Sequence, residues 1–196
     1  TDNIQKDMEA LVNKGIFAFK VYLISSMPTF KQLSPEQLEK VLEIAHSLNV
    51  QVDCHAEDPT IINELNEKLK NDKDILAYAK SRPIEAEVKG IETFLKAVKK
   101  TGAKGHIVHV SSKEGALLIK KYKEMGVDVT FETCPHYLAF NQNDFHKLGS
   151  SLKTAPVVKM KEDSEALWNM LADSTVDFIA TDHAQKPEKM KNTGSI

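Results

Sequence analysis

The feature that most constrains the fold of this sequence is a regular alternation between short β-branched or aromatic runs and longer segments with helical period. This alternation is typical of βα units, in which helices cover a sheet of parallel strands. The runs predict five strands, at residues 16–24, 50–56, 105–110, 128–134 and 176–181. Between them, residues 34–37 and 111–114 have the pattern of capping boxes at helix starts, and Gly102 and Gly126 predict helix ends.

The number of these units decides the fold class. A closed (β/α)₈ TIM barrel usually has eight strands and about 250 residues. Five units in 196 residues therefore predict an α/β fold that is the later part of such a barrel, with the first strands missing. We expect one domain, a partial barrel over residues 1–196.

Composition narrows the class of partner. The chain has 26 Lys and Arg against 28 Asp and Glu, so its formal net charge is −2, which predicts neither a nucleic-acid nor an anionic-membrane partner. No run approaches the roughly 18 apolar residues of a membrane span, and two cysteines, Cys54 and Cys134, are too few for a secreted disulfide scaffold. We expect a cytoplasmic protein with reduced cysteines and a small, roughly neutral ligand.

Side chains that can bind a metal ion recur at the predicted strand ends. Lys20 lies in the first strand, His55 and His109 end the second and third, and Asp182 directly follows the fifth. Because the active site of a parallel barrel is assembled at the C-terminal ends of its strands, these four side chains should converge. A single histidine at a strand end is more often an ordinary polar residue than a ligand, but four candidates in phase favour a metal site.

Strand parity separates the histidines. Alternate residues of a strand face opposite sides, so His55 shares the polar, inward face of its strand with Gln51 and Asp53. His106 and His109 have opposite parity, which predicts that only one of them faces inward, and His109 is favoured because it lies at the C-terminal end. We expect surface or structural roles for His46, His106 and His146, whereas His136 and His183 stay open.

The ligand types indicate a particular metal chemistry. Imidazole nitrogens and carboxylate oxygens suit zinc or a similar divalent ion, and two such ions about 3.5–4 Å apart can activate water and polarise a carbonyl. A protonated lysine repels cations, so Lys20 is a ligand only if carbon dioxide has converted its amine to an anionic carbamate. The alternative for Lys20 is a salt bridge with a neighbouring carboxylate.

These residues lie in segments that resemble the cyclic-amide branch of the amidohydrolase superfamily, the dihydroorotases and allantoinases, over almost the whole chain. The segments that resemble the family's metal-ligand segments are Phe19-Lys20-Val21-Tyr22, His55-Ala56-Glu57-Asp58, His109-Val110-Ser111-Ser112 and Asp182-His183-Ala184. Two further signatures are Ser81-Arg82-Pro83 with Glu87, and Glu132-Thr133-Cys134-Pro135-His136-Tyr137-Leu138. The family's order of strands implies that the chain covers about strands 4 to 8, with Lys20 on strand four and Asp182 on strand eight.

The resemblance implies hydrolysis of a cyclic amide at a centre of about two zinc ions, bridged by the carbamate of Lys20. It implies that Asp182 is catalytic as well as a metal ligand, because it would take a proton from the attacking water and deliver it to the departing ring nitrogen. Glu57 and Arg82 would form a supporting polar network. An alternative from another class is a non-catalytic relative that keeps the barrel as an interaction scaffold.

The sequence also departs from the family. It has no His-x-His pair, which supplies two further ligands, and it has Ala155-Pro156-Val157-Val158-Lys159 and Lys186 where relatives have Asn-Pro-Pro-Leu-Arg and a histidine. This chain alone is therefore expected to be inactive, and its open sheet edges predict a homo-oligomer. Dihydroorotate is the favoured substrate, because Phe19-Lys20-Val21-Tyr22 and Thr181-Asp182-His183-Ala184 resemble the dihydroorotases. Allantoin is the alternative, because Leu167-Trp168 resembles the allantoinases. Lys186 could itself meet the carboxylate of dihydroorotate as a point charge.

Overall fold

The predicted alternation of strands and helices is present in the structure, a computed structural model that describes residues 3–25 and 30–184. In chain order, the elements are α1 (Ile4–Val12), β1 (Ala18–Tyr22), α2 (Pro35–Ser47), β2 (Gln51–His55), α3 (Pro59–Leu69), α4 (Ala77–Lys80), α5 (Ile84–Thr101), β3 (Lys104–Ile107), α6 (Lys113–Glu124), β4 (Val129–Thr133), α7 (Pro135–Ala139), α8 (Phe145–Leu148), α9 (Lys161–Ala172) and β5 (Phe178–Ile179). Short 3₁₀ helices lie at Gln142–Asp144 and Gly149–Leu152.

The strands of the described residues form one parallel sheet in the order β1-β2-β3-β4-β5, so each strand pairs with the next one in the chain. Parallel neighbours need a crossover connection, and helices supply it here. Each strand is shorter than its sequence pattern predicted. At β5, only Phe178–Ile179 of the predicted 176–181 are strand.

The two faces of the sheet differ in chemistry. In the strand register, Val21, Cys54, Ile107 and Phe131 form a row on one face, and all four are buried in the hydrophobic core under the helices. The adjacent row, on the opposite face, consists of Lys20, Asp53, His106 and Thr130. The alternation predicted for β2 is confirmed, because Val52 and Cys54 are completely buried on the apolar face.

Local start and stop signals account for most helix ends. The capping box at the start of α2 is confirmed, since Ser34 Oγ accepts from Gln37 N and Gln37 Oε1 accepts from Ser34 N. Gly102 ends α5 with a left-handed φ of 71°. The capping box predicted at 111–114 is wrong: Ser112 is the N-cap of α6 and accepts from Gly115 N, while Ser111 bonds to a different helix.

The short helices α1, α4, α7 and α8 were not predicted. Each has only four to nine residues, which is too short for a clear helical period in the sequence. None of the helices in the described ranges has both the length and the apolar character needed to cross a membrane.

Candidate metal centre

The ends of β2 and β3 bring two of the four predicted ligands into direct contact. His55 Nδ1 lies 2.9 Å from His109 Nε2, and the rings meet edge to face with centroids 4.6 Å apart. Both side chains are buried. Two imidazole nitrogens that face each other in this way are a suitable donor pair for a divalent ion, because zinc is held by such nitrogens at about 2.0–2.1 Å.

The separation of the two nitrogens also tests this fit. Two nitrogens on one tetrahedral zinc ion at about 2.05 Å would lie roughly 3.3 Å apart. The observed 2.9 Å is therefore a few tenths of an ångström too short, and small rotations of the two rings would accommodate an ion. The donor set and its convergence fit a metal ion of this class.

The backbone at two of the predicted site residues is strained. Among non-glycine residues of the described ranges, Asn49, His109, Ser174 and Asp182 have positive φ angles. Asn49 and Ser174 directly follow helix ends, where the left-handed conformation is common. His109 and Asp182, with φ of 46° and 45°, instead follow strands. Strain of this kind is concentrated at functional sites, where it directs a side chain.

The turn at His109 corrects the parity argument. Strand β3 ends at Ile107, so the strict alternation that predicted opposite faces for His106 and His109 does not extend to His109. His106 lies on the inner face, where its Nδ1 is 2.8 Å from Thr130 Oγ1 and its ring stacks on Phe178. The prediction that only one of the two histidines faces inward is therefore wrong, although the structural role expected for His106 agrees with these contacts.

Among the described residues, neither Lys20 nor Asp182 is hydrogen-bonded to this pair, although the charge of Lys20 acts on His109. Lys20 is exposed on the inner face of the edge strand β1, beside a largely apolar cavity of about 310 Å³. Within the described ranges it forms no ion pair, and its Nζ is 5.6 Å from the Tyr22 ring centroid. Asp182 is exposed after β5. Burial raises the pKa of the Cys134 thiol to about 12. The charge of Asp182 adds to this increase, and the charge of Lys20 opposes it.

The described residues do not by themselves form a complete ligand shell. Residues 3–25 and 30–184 contain no group of three or more His, Cys, Asp or Glu side chains placed to hold a metal ion. The assembled part is the pair of His55 and His109. Lys186, for which the sequence predicted a role in substrate binding, lies outside the described residues.

Electrostatics keep His109 in the form that binds metals. Burial lowers the pKa of His109 well below its ordinary value, and the neighbouring His55 and Lys20 lower it further. The ring is therefore neutral near pH 7, and a neutral imidazole is the form that ligates cations. Its Nδ1 is buried without a hydrogen-bond partner.

Behind His55, a buried carboxylate joins the ligand pair to an arginine. Glu57 is fully buried, and its Oε2 lies 2.9 Å from His55 Nε2 and accepts from Arg82 Nη1 at 2.6 Å. Burial would raise the pKa of Glu57, but the hydrogen bond with His55 and the charges of Arg82, His55 and Lys159 together outweigh it, so the pKa is lowered. The supporting polar network predicted for Glu57 and Arg82 agrees with this arrangement.

Sequence reasoning missed the role of Lys159. This side chain is buried and donates from Nζ to the carbonyl of Arg82 at 2.7 Å. Burial lowers the pKa of Lys159, although Glu87 and Glu57 oppose the decrease. The signal in the sequence was its position directly after Val157-Val158. A lysine that continues a buried apolar run needs a hydrogen-bond partner in the protein interior, because an unpaired buried charge is costly.

Comparison with known proteins establishes the class. The model of the amidohydrolase family matches residues 15–196, and this chain belongs to that family. Among curated proteins, it is 34% identical over 187 residues to the allantoinase of Rubrobacter xylanophilus, covering 94% of this chain and 41% of the relative. It is 36% identical over 200 residues to the allantoinase of Bacillus velezensis, covering 100% of this chain and 43% of the relative.

A solved structure confirms the fold class. The L-hydantoinase (dihydropyrimidinase) from Arthrobacter aurescens superposes with a TM-score of 0.94 at 29% identity, over 97% of this chain and 43% of that protein. The predicted partial TIM barrel of the metal-dependent hydrolase type is thus confirmed. The chain spans about two fifths of the length of the relatives it matches. The sequence relatives favour the alternative substrate, allantoin, over the dihydroorotate that the sequence analysis placed first.

Proposed function

We propose that this chain supplies part of the metal centre and the proton-transferring aspartate of a cyclic-amide hydrolase, and that its substrate is allantoin. The observation that carries the proposal is the contact of His55 Nδ1 with His109 Nε2 at the C-terminal ends of adjacent parallel strands. In a parallel barrel this is the end at which catalytic groups collect. The allantoinase relatives favour the choice of substrate.

In this proposal His55, His109, Asp182 and carboxylated Lys20 hold about two zinc ions. When bound, such ions lower the pKa of water and polarise a carbonyl. The sequence contains no His-x-His pair, so the remaining ligands come from residues outside this chain's 196. We propose that residues 1–196 fold as one domain, which is part of a complete (β/α)₈ barrel.

The remaining chemistry belongs to the side chains of this chain. Asp182 accepts a proton from the attacking water as the oxygen adds to the ring carbonyl, and it returns the proton to the ring nitrogen as the C–N bond breaks. The products are a carboxylate and the released amide nitrogen of the opened ring. The left-handed φ of 45° at Asp182 supports this role, because backbone strain is concentrated at functional sites.

The test uses the natural full-length polypeptide that carries this sequence, purified and supplied with zinc and bicarbonate. We expect hydrolysis of allantoin with at least about a hundredfold preference in kcat/KM over dihydroorotate, because a site built for a neutral ring leaves the carboxylate of dihydroorotate unpaired. Asp182→Asn should reduce kcat about a hundredfold or more. Asp128→Asn is the matched control, since Asp128 is exposed beside the opposite end of β4.

Two results would contradict this proposal in different ways. A preference for dihydroorotate would restore the substrate that the sequence analysis placed first. Absence of both bound metal and turnover on either compound would favour the non-catalytic scaffold.

A further inference from the structure

Helix α5 lies directly against the end of β2. A Cβ atom at Gly90 would be only 2.5 Å from the carbonyl carbon and oxygen of Ala56 and 2.7 Å from Glu57 N. One turn earlier, the carbonyl of Ala86 accepts from Asp58 N at 2.8 Å. The backbone that follows His55 is therefore fixed against this helix, and only glycine permits the approach.

The segment that precedes α5 also contacts the side chain of His55 through one intermediate. Arg82 Nη1 donates to Glu57 Oε2, and the same oxygen is 2.9 Å from His55 Nε2. An ionised carboxylate is only an acceptor, so His55 must carry its proton on Nε2. In the neutral ring Nδ1 is then a lone pair, and this atom accepts from His109 Nε2 across the 2.9 Å contact.

The first turns of the same helix fix the backbone after His109. Glu87 is buried, and its Oε1 accepts from both the backbone N–H and the hydroxyl of Ser111, at 2.8 and 2.9 Å. Ser111 lies two residues beyond His109, whose φ is 46°. These two hydrogen bonds therefore hold the turn in which His109 adopts its strained conformation.

We infer that the start of α5 and the segment before it form a positioning device for both histidines: Arg82 acts on His55 through Glu57, and Glu87 acts on His109 through Ser111. The importance of this device for metal binding rests on the proposed function. The geometric part of the inference consists of the proton position on His55 and the anchored amide of Ser111. This part does not rest on the proposed function.

Energetics favour positioning over stabilisation as the use of these buried charges. A buried ion pair such as Glu57 with Arg82 contributes little net stability, because desolvation offsets the attraction. A carboxylate behind a ligating histidine, in contrast, fixes the ring's tautomer and orientation, and its removal typically weakens metal binding by about 10- to 100-fold.

The test has two parts, both on the natural full-length polypeptide. In the metal-free state, long-range ¹⁵N–¹H spectra of the labelled histidines report the proton position, and amide exchange reports Ser111. We expect the His55 proton on Nε2 in the wild type and a mixture of tautomers in Glu57→Met and in Arg82→Met. We expect Ser111 N–H to exchange at least about tenfold faster in Glu87→Met than in the wild type.

In the second part, zinc affinity is measured by competition with a chromophoric chelator. Glu57→Met and Glu87→Met should each bind about 10- to 100-fold more weakly than the wild type. Glu92→Met is the matched control, because Glu92 is on the same helix and pairs with Lys96 at the surface, and it should keep wild-type affinity. Circular dichroism verifies that each variant is folded.

The outcomes separate this inference from the proposed function. Wild-type protein that binds no zinc would contradict the proposed function, while the spectra still decide whether α5 positions the histidines. Folded variants with wild-type zinc affinity, or a wild-type His55 protonated on Nδ1, would overturn the inference. If Glu57→Met does not fold, the wild-type spectrum alone gives the decisive proton position.

Discussion

Gly90→Ala tests how tightly helix α5 is held against the metal-binding strand end. The new Cβ would lie 2.5 Å from backbone atoms of Ala56, whereas ordinary contact begins at 3.4 Å, so the helix or the strand end must move by about 3.4 − 2.5 = 0.9 Å. The obstructing atoms are backbone, which cannot rotate away. Overpacking of this kind costs up to about 3 kcal/mol, and the better helix propensity of alanine returns about 1 kcal/mol.

We therefore expect Gly90→Ala to lower the free energy of unfolding by about 2 kcal/mol. The measurement is urea denaturation of the natural full-length polypeptide, with the midpoint and slope compared between variant and wild type. Lys99→Ala, at an exposed position of the same helix, is the control and should change stability by less than about 0.5 kcal/mol. A Gly90→Ala variant that is more stable than the wild type would refute the close approach of α5 to Ala56.

Three further predictions address the lysine, the thiols and a helix junction. Lys20→Ala should lose activity and regain part of it when small carboxylic acids are added, whereas a lysine with only a salt-bridge role would give no such rescue. Cys54 and Cys134 are buried and their pKa values are raised, that of Cys134 to about 12. Both thiols should therefore stay protonated at pH 8, and iodoacetamide should not alkylate them until the protein is unfolded. Peptide mass mapping would verify this. Asp163 accepts from Lys113 N and Met160 N at the starts of α6 and α9, so Asp163→Ala should cost about 1–3 kcal/mol in urea denaturation, whereas the exposed neighbour Glu162→Ala should not.

The fold could be predicted from local patterns because each βα unit carries its own signals. Ser34 and Gln37 indicate the start of a helix, and Gly102 indicates the end of one. Each of these signals depends only on residues that are close together in the chain. Strand length was overestimated because apolar residues continue beyond the last paired residue, as after β3. Short helices such as α4 were missed because four residues give no period.

The candidate site could be predicted in part for the same reason. A histidine at a strand end is visible in the sequence, and His55 and His109 meet in the structure. The family resemblance implied a network of Glu57 and Arg82, but sequence periodicity shows neither their contact nor that of Glu87 with Ser111, because these partners are 25 and 24 residues apart. Whether these residues meet depends on how α5 packs against the strand ends. The periodicity of a single helix or strand carries no information about contacts between residues so far apart in the chain.

The parity error at His106 has a physical cause. Alternation holds only while the backbone stays extended, and the left-handed φ at His109 reorients that residue after β3 ends. A strained turn at a strand end is a tertiary feature, which is held here by the hydrogen bonds from Ser111 to Glu87.

The most direct test of the central claim is anomalous diffraction at the zinc edge from crystals of the zinc-loaded, natural full-length polypeptide. The account predicts an anomalous peak about 2.0–2.1 Å from both His55 Nδ1 and His109 Nε2, with the two nitrogens moved apart from their present 2.9 Å. A zinc peak elsewhere, with His55 and His109 still in direct contact, would contradict it.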